Sequence, residues 1–149
     1  MKSLVLGDRD VEEACARVYN DWLIDYCSAA PDRLIGLALL STYRIDAAIE
    51  EMERCKMAGM PGAVIWQVPA PDLPFTSDHY ERLWAAAQDL DMPVALHIFS
   101  GHGYNLGRSF PEGGTPSFDS GIEQERTSVN LKLIYAMDVL YDFIFSGVL

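Results

Sequence analysis

Short apolar runs, each preceded by a proline-marked break and followed by a helical pattern or a long loop, recur along the chain at a near-constant interval, and this spacing limits what it can fold into. Pro31, Pro61 and Pro93 mark successive units, and about 30 residues is the size of one strand-plus-helix step in a right-handed crossover. Such steps build an α/β fold with parallel neighbouring strands. The third run, Pro93-Val94-Ala95-Leu96-His97-Ile98-Phe99, is apolar on both alternating faces apart from one histidine. That pattern belongs to a buried parallel strand. The runs Arg33 to Leu40 (RLIGLALL) and Gly62 to Val68 (GAVIWQV) supply the other two strands.

Helices fill the intervals. Asp10 with Glu13 resembles a capping box, and Val11, Ala14, Cys15, Val18, Trp22 and Tyr26 then recur at helical spacing as far as Pro31. Ile45, Ala48, Ile49 and Met52 share one face of a second helix that Gly59 and Pro61 stop. Asp78 and Glu81 open a third, striped by Tyr80, Leu83, Trp84, Ala87 and Leu90, with Trp84 on its core face. Ser120 and Glu123 form another possible capping box, and Val129, Leu133, Met137, Leu140, Tyr141 and Ile144 carry a long last helix. Between third strand and last helix, Ser100 to Asp119 holds five glycines and two prolines without periodicity. Loops of that length are more often binding loops or lids than plain connectors, with disorder as the competing reading.

With 149 residues, 50% of them hydrophobic, the chain is one globular domain or a piece of one. A net charge of −11 excludes nucleic acid and anionic membrane surfaces as partners. Cys15, Cys27 and Cys55 are odd in number and lack CxxC spacing, which fits reduced thiols in a cytoplasmic protein. The N-terminal apolar stretch is too short for a signal peptide, and no run could span a bilayer.

Chemistry in α/β folds gathers just beyond the carboxyl ends of the strands, and His97 sits at such an exit. Trp66 and Gln67, at the end of the second strand, are candidates to line a substrate pocket, simple packing being the rival reading for Trp66. Arg108 in the long loop has the fork geometry to receive a carboxylate, and His102 stands in the same Gly-rich stretch; an exposed loop side chain is the plainer reading of both. His79 reads as a surface residue.

The segments Tyr19-Asn20-Asp21-Trp22-Leu23, Pro31-Asp32-Arg33-Leu34, Glu50-Glu51-Met52-Glu53-Arg54, Leu83-Trp84-Ala85-Ala86-Ala87 and Pro93-Val94-Ala95-Leu96-His97 come in an order that resembles the middle of an amidohydrolase-related protein. The branch is that of the aminocarboxymuconate-semialdehyde decarboxylase-like enzymes. The resemblance implies a TIM barrel that binds a divalent metal, zinc first among the candidates. The metal is held by an HxH pair on the first strand, histidines on the fifth and sixth, and an aspartate on the eighth. His97 matches the fifth-strand ligand. The chain has only His79, His97 and His102 and no HxH pair, so it resembles strands three to five of the barrel, and it ends where a further strand normally follows.

The expected fold is therefore α/β, a partial TIM barrel of about three parallel strands and four helices over residues 1–149. The implied function is that of a metal-dependent hydrolase or non-oxidative decarboxylase acting on a small carboxylate-bearing substrate. The alternative is a catalytically silent domain that associates with itself. For this chain alone the expectation is no complete metal site, no turnover, and a homo-oligomer that covers exposed strand edges.

Overall fold

A computed structural model describes residues 7–102 and 121–148 of the chain. Asp8, in extended conformation, caps the first helix by accepting bonds from the backbone N–H groups of Asp10 and Val11, so α1 (Arg9–Ser28) starts before the expected Asp10–Glu13 box. β1 (Ala38–Leu39) follows, then α2 (Ile45–Met57), β2 (Ala63–Val68), a 3₁₀ turn Asp78–Tyr80 continuous with α3 (Glu81–Asp89), β3 (Val94–Gly101) and α4 (Gly121–Ser146). Ser120, the expected cap of α4, lies outside the described residues.

The three strands form one parallel sheet in the order β1-β2-β3. β1 is shorter than the apolar run predicted: Ala30 carbonyl bonds to Arg33 and Leu34 fold the start of that run into a turn, and Ile35 is 72% exposed. Register sets two faces. Ala38, Ala63 and Val94 form one row, and Leu40, Ile65 and Leu96 continue that side; these residues pack with Met52, Cys55, Phe75, Tyr80, Leu83 and Val139 into the core between sheet and helices. The alternate rows, Leu39-Val64-Ala95 and then Trp66-His97, face the other way.

α1 does not bury the apolar stripe that gave it its helical signature. Val11, Val18, Trp22 and Tyr26 are exposed, and Tyr19, Trp22 and Tyr26 stack in sequence along the outside, with centroids 5.6 and 5.3 Å apart. The buried positions are Glu12, Ala16 and Asn20. The reason lies in what α1 covers, the outer edge of β1. Asn20 accepts from the Leu39 N–H at 2.8 Å, and donates to the Leu39 carbonyl at 2.9 Å and to Glu51 at 2.8 Å. Its amide thus occupies the place of a neighbouring strand for that residue. Glu51 is held in turn by Arg54 and Arg17, and Arg54 also pairs with Asp21. Burial alone would raise the Glu51 pKa; the bonds from Arg54 and Asn20 and the charges of Arg54 and Arg17 outweigh it and hold the group below its ordinary value. A polar helix face is what an unpaired strand edge requires.

Along the strands Leu37 and Ile98 are exposed, Val64 and Leu96 are half-buried, and Leu39 and Trp66 are buried. No helix among the described residues is long and apolar enough to cross a membrane.

Candidate functional site

Ser41, Thr42 and Tyr43 just beyond β1, Trp66 in β2, His97 in β3 and His102 just beyond it come together at the carboxyl end of the sheet. Parallel strands all finish at the same end, and α1 runs antiparallel to them, so its first turn, with Arg9 and Glu12, joins the group. His97 is the direct cross-strand partner of Trp66, on the face away from the helices, and is half-buried. Its Nδ1 is buried and has no hydrogen-bond partner among the described residues. Gln67 is 1% exposed; strand alternation puts it on the side of Ala63 and Ile65, opposite Trp66. Arg108 lies outside the described residues.

β3 then departs from its register with β2. Trp66 pairs with His97 and Val68 with Gly101, so Ile98, Phe99 and Ser100 face the single residue Gln67. The Ser100 hydroxyl turns back to donate to the His97 carbonyl at 2.6 Å. Gly101 has φ +108°, and a Cβ there would collide with the Val68 carbonyl. Only glycine fits this crossing. It delivers the His102 N–H to the Val68 carbonyl at 2.9 Å.

His102 is consequently not a free loop side chain. Its Nε2 lies 2.6 Å from the Tyr43 hydroxyl, and its ring meets Tyr43 and Trp66 edge-on at 5.7 and 5.6 Å. Tyr43 and Trp66 are in contact at 4.9 Å and pack with Ala70 and Leu73 in a small cluster distinct from the main core. The Arg9 guanidinium stands 4.6 Å above the Tyr43 ring and is paired with Asp72 at 2.7 Å. The buried Glu12 carboxylate accepts from the Gly7 N–H at 3.2 Å. Burial first, then the nearby Glu12 carboxylate, push the phenol far above its ordinary pKa. Burial lowers the His102 pKa; Arg9 adds to this, while Glu12 and Asp72 oppose it.

His79, read from the sequence as a surface residue, is half-buried and bonds through Nε2 to the Thr42 carbonyl at 2.8 Å, tying the start of α3 to the end of β1. Tyr43, Glu12 and Arg9 carried no motif; only the topology brings them to the strand ends. A cleft of about 300 Å³ between α1 and α2 is lined by Glu13, Arg17, Arg44 and Glu51. Those side chains already pair with one another across it, as Arg44 with Glu13 and Arg17 with Glu51, so it is a seam between helices.

Metal chemistry needs several ligands at one point. Among the described residues no three His, Cys, Asp or Glu side chains converge to hold an ion, and His97 also lacks the second partner that normally orients a ligating imidazole. The described residues do not by themselves fit a complete centre.

A family model described as amidohydrolase matches residues 1–136. A gamma-resorcylate decarboxylase from Rhizobium sp. (strain MTP-10005) is 33% identical, over 68% of this chain and 36% of the enzyme. One from Rhodococcus jostii is 34% identical over 62% of the chain and 34% of the enzyme. Among solved structures, a 2,6-dihydroxybenzoate decarboxylase from Rhizobium and a 2,6-dihydroxybenzoate decarboxylase complexed with 2,6-dihydroxybenzoate each superpose with a TM-score of 0.59 at 29% identity, covering 70% of this chain and 35% of theirs. The chain thus spans little more than a third of the length of the curated relatives it matches.

Proposed function

Because the chain belongs to the amidohydrolase family, we propose that it forms the central strands of a decarboxylase-type TIM barrel and meets a small aromatic carboxylate, of the 2,6-dihydroxybenzoate kind, at the carboxyl ends of β1 to β3. The observation that carries this reading is the side-by-side placement of His97 and Trp66 on the face away from the helices. In a barrel that face is the interior, and substrates enter at the strand ends. His97 is read as the inherited ligand position for a divalent metal, zinc by preference, in a complete barrel. Trp66 and His102 are read as the wall against which an aromatic ring rests. Gln67 supports that wall from behind, and Arg108 is the candidate to receive the carboxylate. The metal, when bound by a complete ligand set, would supply Lewis acidity; these residues bind and orient.

Titrating 2,6-dihydroxybenzoate into the 15N-labelled chain tests the placement. The expected result is a set of shift changes centred on His97, Trp66, His102 and Arg108. Changes clustered on the α1–α2 seam, or none at millimolar ligand, would contradict it.

A second reading, a self-associating domain, is favoured by the α1 stripe. Val11, Val18, Tyr19, Trp22 and Tyr26 lie exposed along one face of a 20-residue helix, about 30 Å long. The occupant is a second copy of the chain, because two such faces packed antiparallel are self-complementary and would bury roughly 1,200 Å², the lower bound for a specific interface. Light scattering coupled to size exclusion should give a dimer that Trp22→Glu converts to monomer. A wild-type monomer of 16.6 kDa would overturn this.

A further inference from the structure

We infer that Trp66 does more than wall the site: its indole Nε1–H, beside His97 Nδ1, hydrogen-bonds a ring hydroxyl of the aromatic ligand. Trp66 is then a specificity-determining residue that reads hydroxylation of the ring. The inference rests on the strand-end reading above. Trp66 and His97 are direct partners on neighbouring strands and share the face away from the helices. Neighbouring strands lie about 4.8 Å apart, so one small group can reach both side chains. Trp66 is 7% exposed, and its Nε1 and His97 Nδ1 are both buried without a hydrogen-bond partner among the described residues. Buried polar atoms are nearly always paired. Two unpaired ones side by side on one face are hydrogen-bonding capacity that the fold itself does not use. The Leu40 N–H carries the ladder on to the Val64 carbonyl at 3.0 Å, which sets Ser41 level with Trp66, and the buried Ser41 Oγ is likewise unpartnered among the described residues.

The donors and acceptors select the ligand group. An indole N–H only donates, whereas an imidazole nitrogen and a serine hydroxyl can each stand on either side of the bond. A phenolic hydroxyl has one proton to give and lone pairs with which to accept. It therefore accepts from Trp66 and either gives its proton to His97 or Ser41 or accepts from them, whichever nitrogen of His97 carries the proton. A carboxylate is better served by a cationic donor, and no arginine or lysine among the described residues belongs to this row; Arg9 stands over Tyr43 and is paired with Asp72. Contacts with Tyr43 and His102 hold the indole in place before a ligand arrives. Trp84 Nε1 is also buried and unpartnered among the described residues, but it packs with Phe75, Tyr80 and Phe143 on the helix side of the sheet. It is the internal control.

Indole resonances of the 15N-labelled chain decide it, with resorcinol, 2,6-dihydroxybenzoate and benzoate titrated in turn. Trp66→Phe assigns the Trp66 peak and removes the donor while keeping an aromatic ring. The expected result is a downfield move of the Trp66 indole proton with resorcinol and with 2,6-dihydroxybenzoate, none with benzoate, and none at Trp84 with any of them. Trp66→Phe should weaken 2,6-dihydroxybenzoate binding by about tenfold, the weight of one net hydrogen bond, and leave benzoate unchanged. If that variant fails to fold, proton contacts from the indole to the Tyr43 and His102 rings assign the wild-type peak, and its shift alone decides. An unmoved Trp66 indole with 2,6-dihydroxybenzoate bound, an equal loss for benzoate in the variant, or an indole proton already bonded to water in the free chain would overturn the inference and leave the strand-end site standing. A Trp66 response to resorcinol without binding of 2,6-dihydroxybenzoate would uphold it and count against the functional reading alone. No response to either would count against both.

Discussion

Replacing Asn20 by alanine should cost about 3 kcal/mol of folding stability. The side chain is fully buried and holds both backbone groups of Leu39, at 2.8 and 2.9 Å, together with Glu51 at 2.8 Å. Truncation leaves a buried N–H and a buried C=O unpaired, each costing roughly 1–3 kcal/mol. Glu51 keeps Arg54 and Arg17, so its loss adds less. Against a typical total of about 5–15 kcal/mol this is a large fraction. Urea unfolding followed by tryptophan fluorescence should show a lower midpoint at unchanged slope. Asn20→Asp sharpens the test. It is isosteric and still accepts from the Leu39 N–H, yet it sets a carboxylate against the Leu39 carbonyl and the Glu51 carboxylate, so it should destabilise comparably. A loss below about 1 kcal/mol in the alanine variant, or a neutral aspartate variant, would show that Asn20 merely fills space and that the edge of β1 is satisfied otherwise.

Gly101→Ala should displace the end of β3, because φ +108° and the Val68 carbonyl both exclude a side chain; a destabilisation of roughly 2–4 kcal/mol with shifted imidazole resonances of His102, as it leaves the Tyr43 hydroxyl, is expected, and an unperturbed His102 would refute the crossing. Cys55 is fully buried and its thiol is pushed up to about 12 by burial and by Glu51. A thiol reagent should therefore label exposed Cys15 first and half-buried Cys27 next, and Cys55 only on unfolding; rapid labelling of all three in the native chain would contradict the packing. Stability should fall on acidification. His102 has a folded pKa below its unfolded one, so the unfolded chain binds more protons as pH drops through about 6.5, and Glu51, also lowered, loses its contribution further down, from about pH 4.5. Urea midpoints measured from about pH 7.5 to pH 4 should decline in that order, and a midpoint that rises toward acid would reverse the sign.

Much of the architecture was legible because apolar periodicity and proline punctuation are local signals. The strands at Ala63–Val68 and Val94–Gly101 and the helices at Ile45–Met57 and Glu81–Asp89 follow from them. The burial of α1 was not legible. Its apolar stripe points outward and its polar face inward, since what it covers is a strand edge with unpaired backbone, and no helical periodicity encodes that requirement. At the strand ends, His97 and Trp66 could be named from their place in the apolar runs. Tyr43, Glu12 and Arg9 could not, because their proximity to His102 is made by the crossovers, at separations no spacing rule spans. The single local clue was Ser100-Gly101-His102: a glycine directly after a strand often marks a close backbone approach, and here it sets the neighbouring histidine.

We propose that the three strands of this chain hold at most one position, His97, of an amidohydrolase metal centre and not a complete ligand set. The chain's zinc content, measured by elemental analysis after equilibration with zinc and removal of free metal, tests that most directly. One histidine cannot replace a set of three or four ligands, so well under one zinc per chain is expected, with no difference between wild type and His97→Ala. One zinc per chain, lost in His97→Ala, would contradict the account.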